Sequence, residues 1–224
     1  MRHLWMSGVL LAAALAWGCG SSSSGTGQLR FMQASPMTGQ VQLVVNGAQQ
    51  ANNLNYGNAT GYLTIKSGSQ RVQVLPVSGS TTAILDTTIS VSSSQNQTLL
   101  MTGTTGAISS VLLKDGNTTA VTNDINVRVM NASSRIGATD VYILPAGSSI
   151  IGAVPVANGP FGFNQDTGYQ LVASGGYQVV MAVPGTTNAV LSTGTINQAS
   201  SPNQTVVVLD DLTGGFTFTV LTDQ

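Results

Sequence analysis

The residues able to do acid–base, nucleophilic or metal chemistry are few in this chain of 224 residues. His3 is the single histidine, Cys19 is the single cysteine, and glutamate is absent. The chain after Cys19 therefore lacks the partners for a Ser-His-Asp triad, a Cys-His pair or a zinc site of the usual ligands. We predict a protein that is not an enzyme and that has no catalytic residue, no metal and no cofactor.

Two short aspartate motifs have a chemical interpretation, and we interpret both as turns. Asp166-Thr167-Gly168 spells the triplet of aspartic proteases, but the matching stretch earlier in the chain is Ala59-Thr60-Gly61. That chemistry needs two carboxylates that share one proton. Asp210-Asp211 could contribute oxygens to a calcium site, but no spaced Asp-x-Asp pattern lies nearby.

Aromatic residues in loops rich in Gly, Asn and Thr are the best candidates for binding. A ring flanked by amide side chains can stack on a sugar or hold a peptide. The same ring can instead close the end of a β-sandwich as part of its core. The candidate binding residues are Tyr56, Tyr62, Phe161, Phe163 and Tyr169.

The composition excludes another class of function. Hydrophobic residues make up 42% of the chain and charged residues only 7%, with a net charge of −1. A nucleic-acid-binding surface needs a concentration of positive charge, so we expect no nucleic-acid partner. The polarity comes instead from Ser, Thr, Asn and Gln, which suits contacts that are insensitive to salt.

The first residues are typical of an export signal. Arg2 and His3 precede an apolar run from Leu4 to Trp17, which is shorter than the ~20 residues of a membrane-spanning helix. Gly18 and Cys19 resemble the cleavage site of a bacterial lipoprotein, and a Gly/Ser stretch follows. We predict a signal peptide over 1–18, lipidation of Cys19 and a flexible tether over 19–27. The resemblance to lipoproteins implies the outer membrane, because Gly20 and not an aspartate follows the cysteine.

The remaining chain is a tandem repeat. Ordered matches recur with an offset that drifts only from 98 to 107 residues: Leu29–Ser35 with Val127–Ser133, Thr60–Tyr62 with Thr167–Tyr169, and Asn96–Thr98 with Asn203–Thr205. A period of this length describes whole domains. We predict one domain over 28–117, a linker over 118–122 and a second domain over 123–224.

Each repeat has the pattern of β-strands. Val41, Leu43 and Val45 alternate with Gln40 and Gln42, and turn pairs such as Asn46-Gly47 separate such stretches. We predict an all-β chain of two tandem antiparallel β-sandwiches, immunoglobulin-like or transthyretin-like. Val206–Leu209 is apolar on both faces, which predicts a central strand or one covered by the other domain. For Arg30 and Arg128 we expect outward charges that protect a sheet edge.

The repeats resemble a known family of bacterial exported and surface proteins, the domain-of-unknown-function family numbered 4397. The resemblance rests on a strand, an Ala-Ser-Pro turn, a second strand ending near Asn-Gly, and a later Ser/Thr-Gly-Tyr. These are Ala34-Ser35-Pro36, Asn46-Gly47 and Thr60-Gly61-Tyr62 in the first repeat, with Ala132-Ser133 and Thr167-Gly168-Tyr169 in the second. The resemblance implies the fold and an envelope location, and no activity.

Taken together, these features predict a lipoprotein anchored in the cell envelope, on either face of the outer membrane. Its partners are the membrane, through the lipid, and a protein or polysaccharide of the cell surface. Two sandwich modules would serve surface, structural or adhesive contacts. The alternative is a pair of carbohydrate-binding modules that use the aromatic loops.

Overall fold

The computed structural model describes residues 25–116, 124–198 and 203–224. The predicted signal peptide, Cys19 and the predicted linker over 118–122 lie outside these residues. Within the described part of the chain every regular element is a β-strand, and no helix there is long and apolar enough to cross a membrane.

Residues 25–116 form a β-sandwich of two four-stranded sheets. The strands are β1 (Thr26–Gln33), β2 (Val41–Val45), β3 (Ala48–Leu54), β4 (Leu63–Lys66), β5 (Gly68–Pro76), β6 (Leu85–Val91), β7 (Asn96–Thr104) and β8 (Ala107–Asp115). The sheet β4-β1-β7-β8 faces the second repeat and is called the inner sheet. The sheet β3-β2-β5-β6 is called the outer sheet.

The second repeat has the same arrangement in residues 124–198 and 203–224. Its strands are β9 (Asp124–Asn131), β10 (Thr139–Pro145), β11 (Ala157–Phe161), β12 (Gln170–Ala173), β13 (Tyr177–Ala182), β14 (Ala189–Ser192), β15 (Asn203–Asp210) and β16 (Phe216–Asp223). The inner sheet is β12-β9-β15-β16 and the outer sheet is β11-β10-β13-β14. The predicted all-β architecture of two sandwiches is confirmed.

Two details of the pairing differ from the sequence prediction. In each inner sheet the two central strands run parallel, with Gln28 of β1 opposite Asn96 and Asn126 of β9 opposite Asn203. A parallel pair needs a crossover, which the outer-sheet strands provide. The first strand also begins at Thr26, so Thr26 and Gly27 of the predicted tether pair with Lys66 and Ile65 of β4.

Alternating side chains fill the core of each sandwich. Val41, Leu43 and Val45 of β2 point inward against Leu29 and Phe31 of β1 in the first repeat. The corresponding strands of the second repeat contribute Val127, Val129, Val141, Ile143 and Val179. Asn46 and Gly47 connect β2 and β3 with positive φ at both positions, as a tight hairpin turn of this handedness requires.

A third apolar cluster joins the two inner sheets. Met32, Ala34 and Leu100 of the first repeat pack against Met130, Ala132 and Val207 of the second. The central strands are therefore buried on both faces, and every residue of β15 is buried. The apolar run Val206–Leu209 is both a central strand and one covered by the other repeat, which were the two predicted alternatives.

Candidate functional site

Four charged residues of the inner sheets meet between the two repeats. Arg30 and Arg128 occupy equivalent positions in β1 and β9, and Asp115 and Asp223 occupy equivalent positions at the ends of β8 and β16. The two arginine residues are 4% and 3% exposed, and the two aspartate residues 2% and 0%. We call these four residues the interface cluster. The expected outward charges on Arg30 and Arg128 are wrong, because the face they occupy is covered by the other repeat.

Each arginine reaches across to the other repeat. Arg30 pairs with Asp223 and donates from Nη1 to the carbonyl oxygen of Thr222 at 2.9 Å. Arg128 donates from Nη2 to Oδ1 of Asp115 at 2.6 Å and from Nη1 to the carbonyl oxygen of Lys114 at 2.8 Å. The two halves make the same contacts with the roles exchanged, as an approximate two-fold axis between the repeats demands.

Threonine hydroxyls complete the hydrogen bonding of these charged groups. Arg30 Nε donates to Thr98 Oγ1 at 2.8 Å, and Arg128 Nε donates to Thr205 Oγ1 at 3.1 Å. These hydroxyls in turn donate to Asp115 and Asp223. Two positive and two negative charges thus form a neutral, hydrogen-bonded unit, which is the condition under which buried charge is tolerated.

Two of the predicted binding residues belong to this unit. The Tyr62 hydroxyl donates to Asp115 at 2.9 Å, and the Tyr169 hydroxyl donates to Asp223 at 2.7 Å. The guanidinium carbons of Arg30 and Arg128 lie 4.7 and 4.6 Å from the centres of the same two rings. Both phenols are partly buried, and each donates to a carboxylate that pairs with an arginine of the opposite repeat.

The surroundings hold both phenols in their protonated form. Burial, and then the charge of Asp115, raise the pKa of the Tyr62 hydroxyl above its ordinary value. Burial also raises the pKa of Tyr169, against the opposing effect of Arg128. Each phenol therefore remains a hydrogen-bond donor to a carboxylate at neutral pH and is unsuited to act as a base.

The other three aromatic candidates are spread over the molecule. Tyr56 donates to the carbonyl oxygen of Asp210 at 2.7 Å and packs in the cluster between the inner sheets. Phe161 is buried in the core of the second sandwich, and Phe163 is 38% exposed. The structure does not bring the five predicted residues together on one surface.

The opposite end of the contact between the repeats differs from the interface cluster. A groove of about 410 Å³ lies there, lined by Pro36, Met37, Arg135 and Leu212 among others. Arg135 Nε lies 3.3 Å from the buried carboxylate of Asp210, which also accepts hydrogen bonds from Ser133 and Ser134. Within the described ranges, no group of three or more His, Cys, Asp or Glu side chains could hold a metal ion.

The sequence contained a signal for the interface cluster that residue types alone did not reveal. Asp115 and Asp223 are 108 residues apart, close to the spacing of the other matched pairs. Arg30 and Arg128 are 98 residues apart. Repeated charges of both signs in a chain with so few charged residues indicate a pairing between the repeats.

Comparison with known proteins gives a family. The sequence profile described as Domain of unknown function (DUF4397) matches residues 27–142, just over half of the chain. The chain belongs to this family. The DUF4397 match covers the first sandwich and extends into β10 of the second. Its description assigns no activity. No curated protein is significantly similar to the chain.

Three solved structures resemble the chain at low similarity. Family 41 carbohydrate-binding modules from streptococcal virulence factors, described for alpha-glucan recognition, share 14% identity over 81% of this chain and 93% of theirs, with a TM-score of 0.26. A streptococcal virulence factor that binds alpha-glucan shares 11% identity over 81% and 93%, with a TM-score of 0.27. A candidate adhesin from Bacteroides ovatus shares 11% over 88% and 92%, with a TM-score of 0.25. Likenesses this weak carry no argument about function.

Proposed function

We propose that this protein is a lipid-anchored contact protein of the bacterial cell envelope, in which two β-sandwiches act as one rigid body without enzymatic activity. The observation that carries the proposal is the interface cluster. Arg30, Arg128, Asp115 and Asp223 satisfy one another in a buried, neutral unit, which makes them structural and removes them from the surface. The solvent-facing residues are largely neutral hydroxyl and amide side chains.

The direction of β1 shows which end of the first sandwich an anchor on Cys19 would join. Gly25 begins the described chain beside β1, and the Ser94 backbone N–H donates to the Thr26 carbonyl at the same end. β1 then runs away from this end, and Met37 and Leu212 line the groove beyond its far end. The groove therefore lies at the end of the first sandwich opposite to the end where the described chain begins at Gly25.

The anchor is tested by metabolic labelling with a fatty acid. The wild-type protein is expected to incorporate the label, and Cys19→Ala is expected to lose both the label and membrane association. Acyl chains contribute about 0.8 kcal/mol per buried CH₂, and stable anchoring needs more than one chain. An unlabelled mature protein released in soluble form would contradict the anchoring.

The contact role is tested by binding of purified residues 25–224 to cells that lack the protein. Saturable binding that changes little between low and physiological salt is expected, because a neutral surface gives little for salt to screen. The exposed pair Arg71–Asp86 offers a control, since Arg71→Ala changes the surface charge away from the contact between the repeats. Absence of binding, or binding abolished by moderate salt, would refute the proposal.

The alternative of two carbohydrate-binding modules that use the aromatic loops is less well supported by the geometry. Tyr56 donates to a carbonyl of the opposite repeat, Tyr62 and Tyr169 donate to the carboxylates of the interface cluster, and Phe161 lies in a core. A ring that is engaged in this way offers little surface for a sugar to stack on. Any glycan contact of this protein must therefore be sought elsewhere on its surface.

A further inference from the structure

The second repeat contains a segment that has no counterpart at the same connection of the first repeat. Two residues, Asn46 and Gly47, connect β2 to β3, whereas eleven residues, 146–156, connect β10 to β11. The fold of a sandwich is complete without this segment, as the first repeat demonstrates.

The segment 146–156 folds back over the outer sheet of its own repeat. Ile150 and Ala153 pack on Tyr142 and Val180, and together with Ala182 they form a small apolar cluster outside the main core. The Gln178 side chain donates to the Ser148 carbonyl, and the Val156 backbone N–H donates to the Val141 carbonyl at 2.8 Å. The segment is thereby fixed in one position.

A groove lies between this segment and the turn that connects β13 to β14. Its volume is about 650 Å³, within the range of about 300–1,000 Å³ that is usual for small-molecule sites. The segment forms one wall and the turn forms the other. Polar side chains and one ring line it: Asp140, Tyr142, Thr186, Thr187 and Asn188.

The side chains that line the groove suit an uncharged ligand with many hydroxyl groups. Asp140 Oδ2 accepts a hydrogen bond from the Gly185 backbone at 2.7 Å, which orients the turn, and a carboxylate has further lone pairs to offer. Thr187 and Asn188 add a hydroxyl and an amide, which both donate and accept. The partly exposed alkyl groups of Ile150, Ala153 and Pro155 provide an apolar surface for the C–H face of a sugar ring, and the buried ring of Tyr142 supports them from below.

An extended peptide fits the groove less well. Peptides that add to a β-sheet pair with the free backbone of an edge strand. The floor of this groove belongs to β10, which already pairs with β11 on one side and with β13 on the other. Recognition must therefore use side chains, which matches a ligand rich in hydroxyl groups.

We infer that the groove between segment 146–156 and the β13–β14 turn is a binding site for an uncharged oligosaccharide. The inference rests on the proposed contact function and gives it a chemical class of partner. It assigns the sugar contacts to Asp140, Thr187 and Asn188, with Tyr142 beneath. Among the described residues, the segment and its groove are found in the second repeat and not in the first.

The test uses affinity electrophoresis of residues 25–224 in a panel of soluble neutral polysaccharides (glucans, mannan, galactan and xylan). The main variant is Thr187→Arg, which places a long charged side chain in the groove from an exposed turn. The matched control is Thr81→Arg, an equally exposed position in the turn between β5 and β6 of the first repeat. Asn188→Ala is the milder second variant.

We expect at least one neutral polysaccharide to retard the wild-type protein and the Thr81→Arg control. The Thr187→Arg variant should bind at least about tenfold more weakly, with Asn188→Ala intermediate. Retardation of Thr187→Arg equal to that of wild type would overturn the inference, as would the absence of retardation by every polysaccharide. If cell binding persists while no polysaccharide binds, the inference fails and the contact function stands. If both are absent, both fail.

Discussion

The outer sheets of the two repeats have the same strand order and very different surroundings. In the first repeat Gln42 lies opposite Leu75 and Val44 opposite Gln73, and all four are partly exposed. The equivalent pairs in the second repeat are Asp140 with Ala182 and Tyr142 with Val180, and all four are buried. One short insertion has converted an ordinary solvent-facing sheet into the floor of a groove.

The inner sheets show the opposite behaviour, because there the repeats have remained alike. Both supply an arginine and an aspartate to the interface cluster, and both supply a threonine and a tyrosine that form hydrogen bonds with it at equivalent positions. An inner sheet must pack against the inner sheet of the other repeat, so few substitutions are tolerated there. An outer sheet makes no such contact and can change in one repeat alone. The predictions below test this contrast between a symmetric interior and an asymmetric exterior.

The largest effect is expected from breaking the interface cluster. Asp115→Ala and Asp223→Ala each leave two buried arginines with a single carboxylate, so that one positive charge is uncompensated, and each should lower the free energy of unfolding by about 3–5 kcal/mol. Asp86→Ala breaks an exposed pair that solvent screens, so it should lower the free energy of unfolding far less than either of these variants. Urea unfolding measures all three. Unequal losses for Asp115 and Asp223 would contradict the two-fold symmetry of the cluster.

The next effect concerns the covered outer sheet. Tyr142→Ala removes a ring that is 6% exposed from the cluster beneath segment 146–156, and we expect a loss of about 2–4 kcal/mol. Its counterpart Val44→Ala should cost less than about 1.5 kcal/mol, since that side chain is partly in solvent. Thermal unfolding of both variants gives the comparison, and similar losses would show that the segment adds no second core.

A smaller effect is expected from the tyrosine hydroxyls between the repeats, and its size should depend on whether the acceptor is charged. Tyr62→Phe and Tyr169→Phe each lose a hydrogen bond to a carboxylate, so each should lower the free energy of unfolding by about 1.5–3 kcal/mol. Tyr56→Phe loses a bond to a neutral carbonyl and should cost about 0.5–1.5 kcal/mol. Equal costs for all three, measured in urea, would argue against a charged cluster.

The smallest effect is a gain in stability at the turn after β1. Met37 has a φ of 65° and is 85% exposed, so a side chain is held in a left-handed conformation without compensating contacts. Met37→Gly should raise stability by about 0.5–1 kcal/mol. The equivalent Arg135 contacts Asp210 and two carbonyl oxygens, and Arg135→Gly should lower stability. An increase for both variants would show that these turns are not distinct.

Alternation predicted the strands well because one side of most strands faces a core. Val41, Leu43 and Val45 point inward as that pattern indicates. The same reasoning failed for Arg30 and Arg128, because alternation separates two faces of a strand without stating what covers the second. Asp223 is 193 residues from Arg30 and Asp115 is 13 residues from Arg128, and only the packing of one repeat on the other brings each pair together.

The groove of the second repeat was also beyond prediction from the sequence. Segment 146–156 contains Gly, Ser and Pro and has the composition of an ordinary loop. Its position depends on Tyr142 and Val180, outward-facing residues of strands whose inward-facing neighbours carry the recognisable pattern. The aromatic candidates were chosen for their loops, whereas the ring that lines the groove lies within a strand.

The union of both inner sheets in one polypeptide has a consequence for how such a protein can diverge. A dimer of identical chains would repeat every altered surface on both sides of its axis, and its assembly would weaken on dilution. Here the partner is always present at high effective concentration, whatever the abundance of the protein. The inner sheets can therefore keep their mutual fit while one repeat acquires features that the other lacks. An example is Asp210 of the second repeat, where the first repeat has Gly103.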